Sequence, residues 1–92
     1  MNNTHKRSVE LVNQRGLHAR ASAAFIREAA LFKSDVQVSF NDETVGTASV
    51  MDLLMLGARV GHVIEIETQG QDAEAALTAL CDLVARKFDE DE

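Results

Sequence analysis

From Lys6 to Val12 apolar and polar residues alternate, Val9 and Leu11 on one side and Ser8 and Glu10 on the other, which is the period of a half-buried strand. Asn13-Gln14-Arg15-Gly16 breaks the pattern. From about Ala19 to Phe32 the spacing becomes helical: Ala21, Phe25, Ala29 and Phe32 recur every three or four residues, and Arg20, Arg27 and Glu28 can face water. Alanine, the strongest intrinsic helix former, supplies much of this segment. Alternation resumes after Ser34, with Val36, Val38 and Phe40 inward. Asn41-Asp42-Glu43 then reads as a tight turn into a short return strand over about Thr44 to Thr47, which Gly46 weakens or bulges.

Ser49 stands before Val50-Met51-Asp52-Leu53-Leu54-Met55-Leu56-Gly57, a short helical run with serine at the N-cap, an acid in the first turn and glycine at the stop. A run so apolar is either buried all round or presents part of itself as a docking face. His62 to Thr68 alternates once more, Ile64 and Ile66 inward, Glu65 and Glu67 outward. Gly70-Gln71-Asp72 caps a last helix whose stripe is Ala73, Ala76, Leu77, Leu80 and Val84. Cys81 sits beside that stripe as a small hydrophobe, with nothing electropositive nearby to make it reactive. Phe88 pins the end of the chain, and Asp89-Glu90-Asp91-Glu92 reads as a frayed, solvated tail. One-sided strands with helices to cover them predict an α+β fold, a two-layer sandwich with one sheet face open to water.

A length of 92 residues fits one domain over 1–92 with a single modest core. No apolar run is long enough to span a bilayer, the first residues lead into no apolar signal core, and a lone cysteine excludes an internal disulfide. A cytoplasmic location with no membrane attachment is expected. The net charge of −6 argues against nucleic acid as a partner. Its distribution is uneven. Residues 1–33 carry Lys6, Arg7, Arg15, Arg20, Arg27 and Lys33 against Glu10 and Glu28, a local +4, while the remainder carries −10. Such asymmetry suits a phosphate handled near the positive end and docking by charge complementarity.

Chemistry concentrates at Gly16-Leu17-His18-Ala19-Arg20, where strand gives way to helix. The first turn of a helix has N–H groups without partners and the positive end of the helix dipole, so His18 faces an anion site. Arg20 adds a planar fork of donors suited to phosphate oxygens. A neutral imidazole nitrogen is a competent nucleophile, and its phosphorylated form can pass the group on. A histidine here can also serve as a helix cap and nothing more. His5 and His62 have no partners at metal-ligand spacing, so neither a metal nor a cofactor is expected.

Taken together, the element order, Gly16-Leu17-His18-Ala19-Arg20, Phe25 and Phe32 on the first helix, Ser49 before the apolar run, Leu56-Gly57, and Gly70 before the last helix resemble the histidine-containing phosphocarrier (HPr) family of the phosphoenolpyruvate-dependent phosphotransferase system. The resemblance implies an open-faced βαββαβα sandwich, a four-stranded antiparallel sheet covered on one face by three helices. It implies that His18 accepts a phosphoryl group from Enzyme I on the imidazole nitrogen nearer the backbone and donates it to an enzyme IIA component. Arg20 and the backbone N–H groups of Ala19 and Arg20 would hold the group. Ser49 matches a serine that an HPr kinase/phosphorylase modifies in some bacteria, and a phosphate there would repel partners. Met51, Leu54 and Met55, with Arg27, would form the docking face of a monomer; methionine suits a face that serves two partners.

The family usually has proline where this chain has Ala21, which leaves an extra N–H in the first turn and touches neither nucleophile nor charge. Leu53-Leu54-Met55-Leu56 and Phe88-Asp89-Glu90-Asp91 are similar to the nitrogen-related phosphocarriers. Two other functions compete. One is a regulatory binding module of the same fold whose phosphorylation state selects partners. The other is a small enzyme acting on a free phosphorylated metabolite, disfavoured because no second acid or base and no long loops accompany the motif.

Overall fold

In a computed structural model that describes residues 3–90, the elements follow in the order β1 (Thr4–Glu10), α1 (Ala19–Ala29), β2 (Asp35–Phe40), β3 (Glu43–Val45), α2 (Val50–Leu54), β4 (Val63–Gln69) and α3 (Ala73–Ala85), and a left-handed turn at Lys87–Asp89 follows α3. All strand pairs are antiparallel, in the sheet order β1-β4-β2-β3. Register follows the apolar pattern. Val9 lies opposite Ile64, and Ile66 lies between Arg7 of β1 and Val38 of β2, so these side chains share the covered face. Lys6, Glu65 and Glu67 share the open face, where the Lys6 ammonium reaches Glu67 at 3.7 Å. This is the open-faced α+β sandwich expected from the sequence.

The three helices cover one face. Phe25 of α1, Leu53 of α2 and Leu80 of α3 are fully buried with Leu11, Ile64 and Ile66, and removing each such side chain from water contributes about 1.5–3 kcal/mol. Thr68, at an inward position of β4, is buried with its hydroxyl donating to the Ala73 carbonyl at 2.7 Å, which ties the strand to the start of α3.

Several boundaries differ from the sequence reading. β1 spans Thr4–Glu10 rather than Lys6 to Val12, because β4 supplies partners from Gln69 to Val63. Leu11 continues the hydrogen bonding to His62 and Gly61. The first helix proper ends at Ala29, with turn bonds carrying the chain to Phe32. The β2–β3 turn contains Asn41 and Asp42 alone, both with positive φ (54° and 67°), and Phe40 pairs directly with Glu43. Two left-handed residues match the twist of the flanking strands, so β3 starts one residue earlier than predicted. It also ends at Val45, and Gly46 closes the strand without a bulge.

Asp72 does not cap α3 with its side chain. Its carboxylate instead accepts the Lys33 and Ser34 N–H groups, both at 2.9 Å, and the Ser34 hydroxyl at 2.5 Å, locking the α1–β2 turn to the base of α3. Those bonds, led by the Ser34 hydroxyl, hold its pKa below the ordinary aspartate value. Cys81 is buried as expected, yet its surroundings do include a cation: Arg7 lies beside the sulfur. Burial outweighs Arg7 and pushes the thiol pKa up.

Residues 87–90 depart from the frayed tail expected from the sequence. Phe88 is buried, as predicted, but Lys87, Phe88 and Asp89 all have left-handed φ (60°, 56° and 59°). Each costs roughly 1 kcal/mol for a residue with a Cβ. The turn returns Glu90 to the start of α1; Asp91 and Glu92, the rest of the predicted tail, lie outside the described residues.

Candidate functional site

Strand β1 delivers the chain to a loop whose backbone is closed by its own hydrogen bonds. Gly16 N–H donates to the Asn13 carbonyl at 3.2 Å and His18 N–H to the Gly16 carbonyl at 2.9 Å. Leu17 N–H reaches across to the Ala58 carbonyl at 3.1 Å. Gly16 has φ +60°, and a Cβ there would lie 2.6 Å from the Arg59 Cα, so only glycine permits this approach between the loop and the 58–59 segment. The Asn13 side chain is fully buried and its Nδ2 donates to the Gly16 carbonyl at 2.8 Å and to Glu90 Oε1 at 2.7 Å. Both partners are acceptors, which fixes the amide orientation and leaves Asn13 Oδ1 without a partner among the described residues.

His18 is the N-cap of α1, in extended backbone conformation, and Nδ1 accepts the Arg20 N–H at 3.3 Å. On the other side of the ring Nε2 meets Glu90 Oε2. An N–H donor on one nitrogen and a carboxylate on the other leave one arrangement of the neutral ring: the lone pair on Nδ1 and the proton on Nε2. The side chain is about one-fifth exposed, less than a free surface histidine, and its capping role is real. Nδ1 therefore faces the helix N-terminus, where α1 has no acidic residue in its first turn.

The remaining sequence candidates fall into three groups. Arg20 is exposed and forms no ion pair among the described residues, and Ala19, also exposed, begins the helix with no partner for its N–H among them. Ser49 caps α2, its hydroxyl accepting the Met51 N–H at 3.1 Å. The apolar run divides by face: Leu53 and Leu56 are buried, Met51 (60%) and Met55 (71%) are exposed, and Leu54 is half-buried, so it contributes less to any docking face than the methionines do. Arg27 is exposed on α1, which packs against α2. Asn13 and Glu90 were missed by sequence reasoning. Nothing in the order of residues marks an asparagine in a turn and a glutamate near the end of the chain as partners.

The fold and a strand-to-helix histidine define a class of small open-faced α+β proteins, and comparison with known proteins gives the class its name. A family model described as the phosphorylation site of the HPr component of the phosphotransferase system matches residues 5–86. The phosphocarrier protein HPr of Neisseria meningitidis serogroup A is 49% identical over 87 residues, covering 95% of this chain and 98% of the relative. The phosphocarrier protein NPr of Shewanella violacea is 41% identical over 85 residues, covering 92% and 93%. The crystal structure of an HPr from Thermoanaerobacter tengcongensis superposes with a TM-score of 0.89 at 35% identity, covering 96% of this chain and 99% of that one. This chain belongs to the HPr family of phosphocarriers. Relatives bearing either name, HPr or NPr, match over nearly the whole chain.

Proposed function

We propose that the protein carries a phosphoryl group on Nδ1 of His18, taken in the cytoplasm from Enzyme I, which draws it from phosphoenolpyruvate, and handed to an enzyme IIA component. The observation that supports this most is the ring's arrangement: its lone pair lies on the nitrogen that faces the N-terminus of α1.

In the transfer the Nδ1 lone pair forms the bond to phosphorus while the bond to the donor breaks, its electron pair leaving with the donor. The Arg20 N–H, until then on Nδ1, and the adjacent Ala19 N–H are placed to take the phosphoryl oxygens, and the Arg20 guanidinium supplies fixed positive charge. Onward transfer reverses the sequence, the electron pair returning to Nδ1. The exposed Met51 and Met55, with Arg27 and part of Leu54, are the surface on which donor and acceptor alternate, and the protein works as a monomer. A phosphate on Ser49, placed by an HPr kinase/phosphorylase, would set about −2 charge beside Met51 and weaken docking.

The test is intact mass after incubation with phosphoenolpyruvate and the Enzyme I of the same organism, shown active on another carrier. The expected result is one added phosphoryl mass, lost in mild acid and absent in His18→Ala. His18→Ala also removes the α1 cap, so a stability loss of about 1 kcal/mol with the fold retained is expected. An unchanged mass would leave a binding module of the same fold as the better reading.

A further inference from the structure

The geometry points to Glu90 as a positioning residue for His18: its carboxylate, held by Asn13, accepts the Nε2 proton and so keeps the imidazole lone pair on Nδ1, facing the phosphoryl group. This inference rests on the carrier reading of His18 and names a group that acts on it from outside the motif.

Three observations converge on Glu90. The carboxylate is used at both oxygens, Oε2 by His18 Nε2 and Oε1 by the fully buried Asn13 at 2.7 Å, so it is aimed rather than merely near. The Glu90 side chain is only 10% exposed, unlike a tail residue. The segment that delivers it is strained: three consecutive residues with side chains, Lys87 to Asp89, hold left-handed φ angles, and the buried Phe88 anchors them. Backbone held in a costly conformation beside a reactive group is a common mark of pre-organisation. Asn13 carries the arrangement back to the loop, because the same Nδ2 that holds Glu90 also holds the Gly16 carbonyl. One amide thus sets both the backbone before His18 and the carboxylate behind its ring.

The consequence for the transfer is electrostatic as well as geometric. When Nδ1 gives its electron pair to phosphorus, Nε2 keeps its proton and the ring carries positive charge. The Glu90 carboxylate stands beside that proton and balances the charge until the electron pair returns to Nδ1. No proton leaves Nε2 at any point in the cycle. A histidine without this partner exchanges its proton between the two nitrogens, and a ring protonated on Nδ1 has no lone pair to offer there.

The test combines ring 15N NMR of His18 at alkaline pH with transfer kinetics from Enzyme I, comparing the parent protein with Glu90→Ala and Glu90→Gln. The parent should show two well-separated ring nitrogens, Nδ1 unprotonated and Nε2 protonated. In Glu90→Ala the two shifts should move toward each other, and kcat/KM for phosphoryl acceptance should fall roughly tenfold, by analogy with the low end of what losing the hydrogen-bond partner of a metal-bound histidine costs, with KM nearly unchanged. Glu90→Gln keeps the shape and one oxygen acceptor but not the charge, and should fall between. Unmoved ring shifts in both variants would overturn the proposal whatever the rates do, and so would moved shifts with unaltered rates. If the parent protein itself accepts no phosphoryl group, the carrier reading fails; the ring shifts still report on the contact.

Discussion

Replacing Gly16 by alanine should damage this protein far more than the same change at Gly57, although both glycines have positive φ, +60° and +71°. At Gly57 a Cβ meets nothing within 4 Å, so the cost is backbone strain alone, about 1 kcal/mol. At Gly16 the same strain is joined by contacts of 2.6 Å to Arg59 Cα, 2.7 Å to the Ala58 carbonyl oxygen and 2.9 Å to the Arg59 carbonyl carbon, all backbone. The shortest is roughly 0.9 Å inside a comfortable carbon–carbon separation, so the loop and the 58–59 segment must part. Overpacking of that kind costs about 1–3 kcal/mol, and parting them weakens the Leu17-to-Ala58 hydrogen bond by about 1 kcal/mol more. The total is about 4 kcal/mol for Gly16→Ala. In urea, with a slope of about 1.5 kcal/mol per molar for a chain of this size, the midpoint should drop by roughly 2.5 M for Gly16→Ala and by less than about 1 M for Gly57→Ala. Equal midpoints for the two variants would refute the reasoning, since both sites have left-handed φ and differ chiefly in the crowding. The folded fraction of Gly16→Ala should also accept phosphoryl groups poorly, because the Gly16 carbonyl holds both Asn13 and His18.

Other predictions concern the two side-chain anchors. Asp72 has a lowered pKa in the folded state, so its stabilisation is fully present above the unfolded-state value of about 4 and is lost as pH falls through the lower folded value; Asp72→Asn should therefore lower stability at neutral pH and flatten the acid limb of a urea midpoint-against-pH curve. Ser49→Ala removes the α2 cap and should cost about 1 kcal/mol by urea denaturation while leaving acceptance at His18 intact, whereas Ser49→Asp should slow transfer by raising KM for Enzyme I.

What the chain order reveals depends on whether a residue's partner is local. The strands could be read because Val36, Val38, Ile64 and Ile66 alternate with polar residues, and the hairpin because Asn41-Asp42 tolerates the left-handed backbone its turn demands. His18 and Ser49 could be read as helix starts because a cap acts two residues ahead. Asp72 also looked like a cap, but its acceptors are satisfied across the fold by Lys33 and Ser34, and periodicity has nothing to say about such a bond. Glu90 failed for the same reason: an acidic run at a chain end reads as solvated until the left-handed turn at Lys87–Asp89 is known. Arg7 was hidden beside Cys81 because a charged residue at an inward position of an edge strand breaks the alternation that would place it.

The sheet order has a kinetic consequence. Among the described residues β1 sits at one edge and has β4, the last of the four strands in chain order, as its sole sheet neighbour, while β2 and β3 close on each other at once through a two-residue turn. A ribosome-bound chain can therefore form the hairpin early, but the strand leading to His18 stays unpaired until β4 emerges, beginning with Val63 opposite Glu10, and Glu90 arrives later still. At roughly 5–20 residues per second the loop before α1 waits several seconds without its supports. The supports of the His18 loop are thus added in two late steps, first β4 against β1 and then Glu90 against the ring, well after the hairpin has formed.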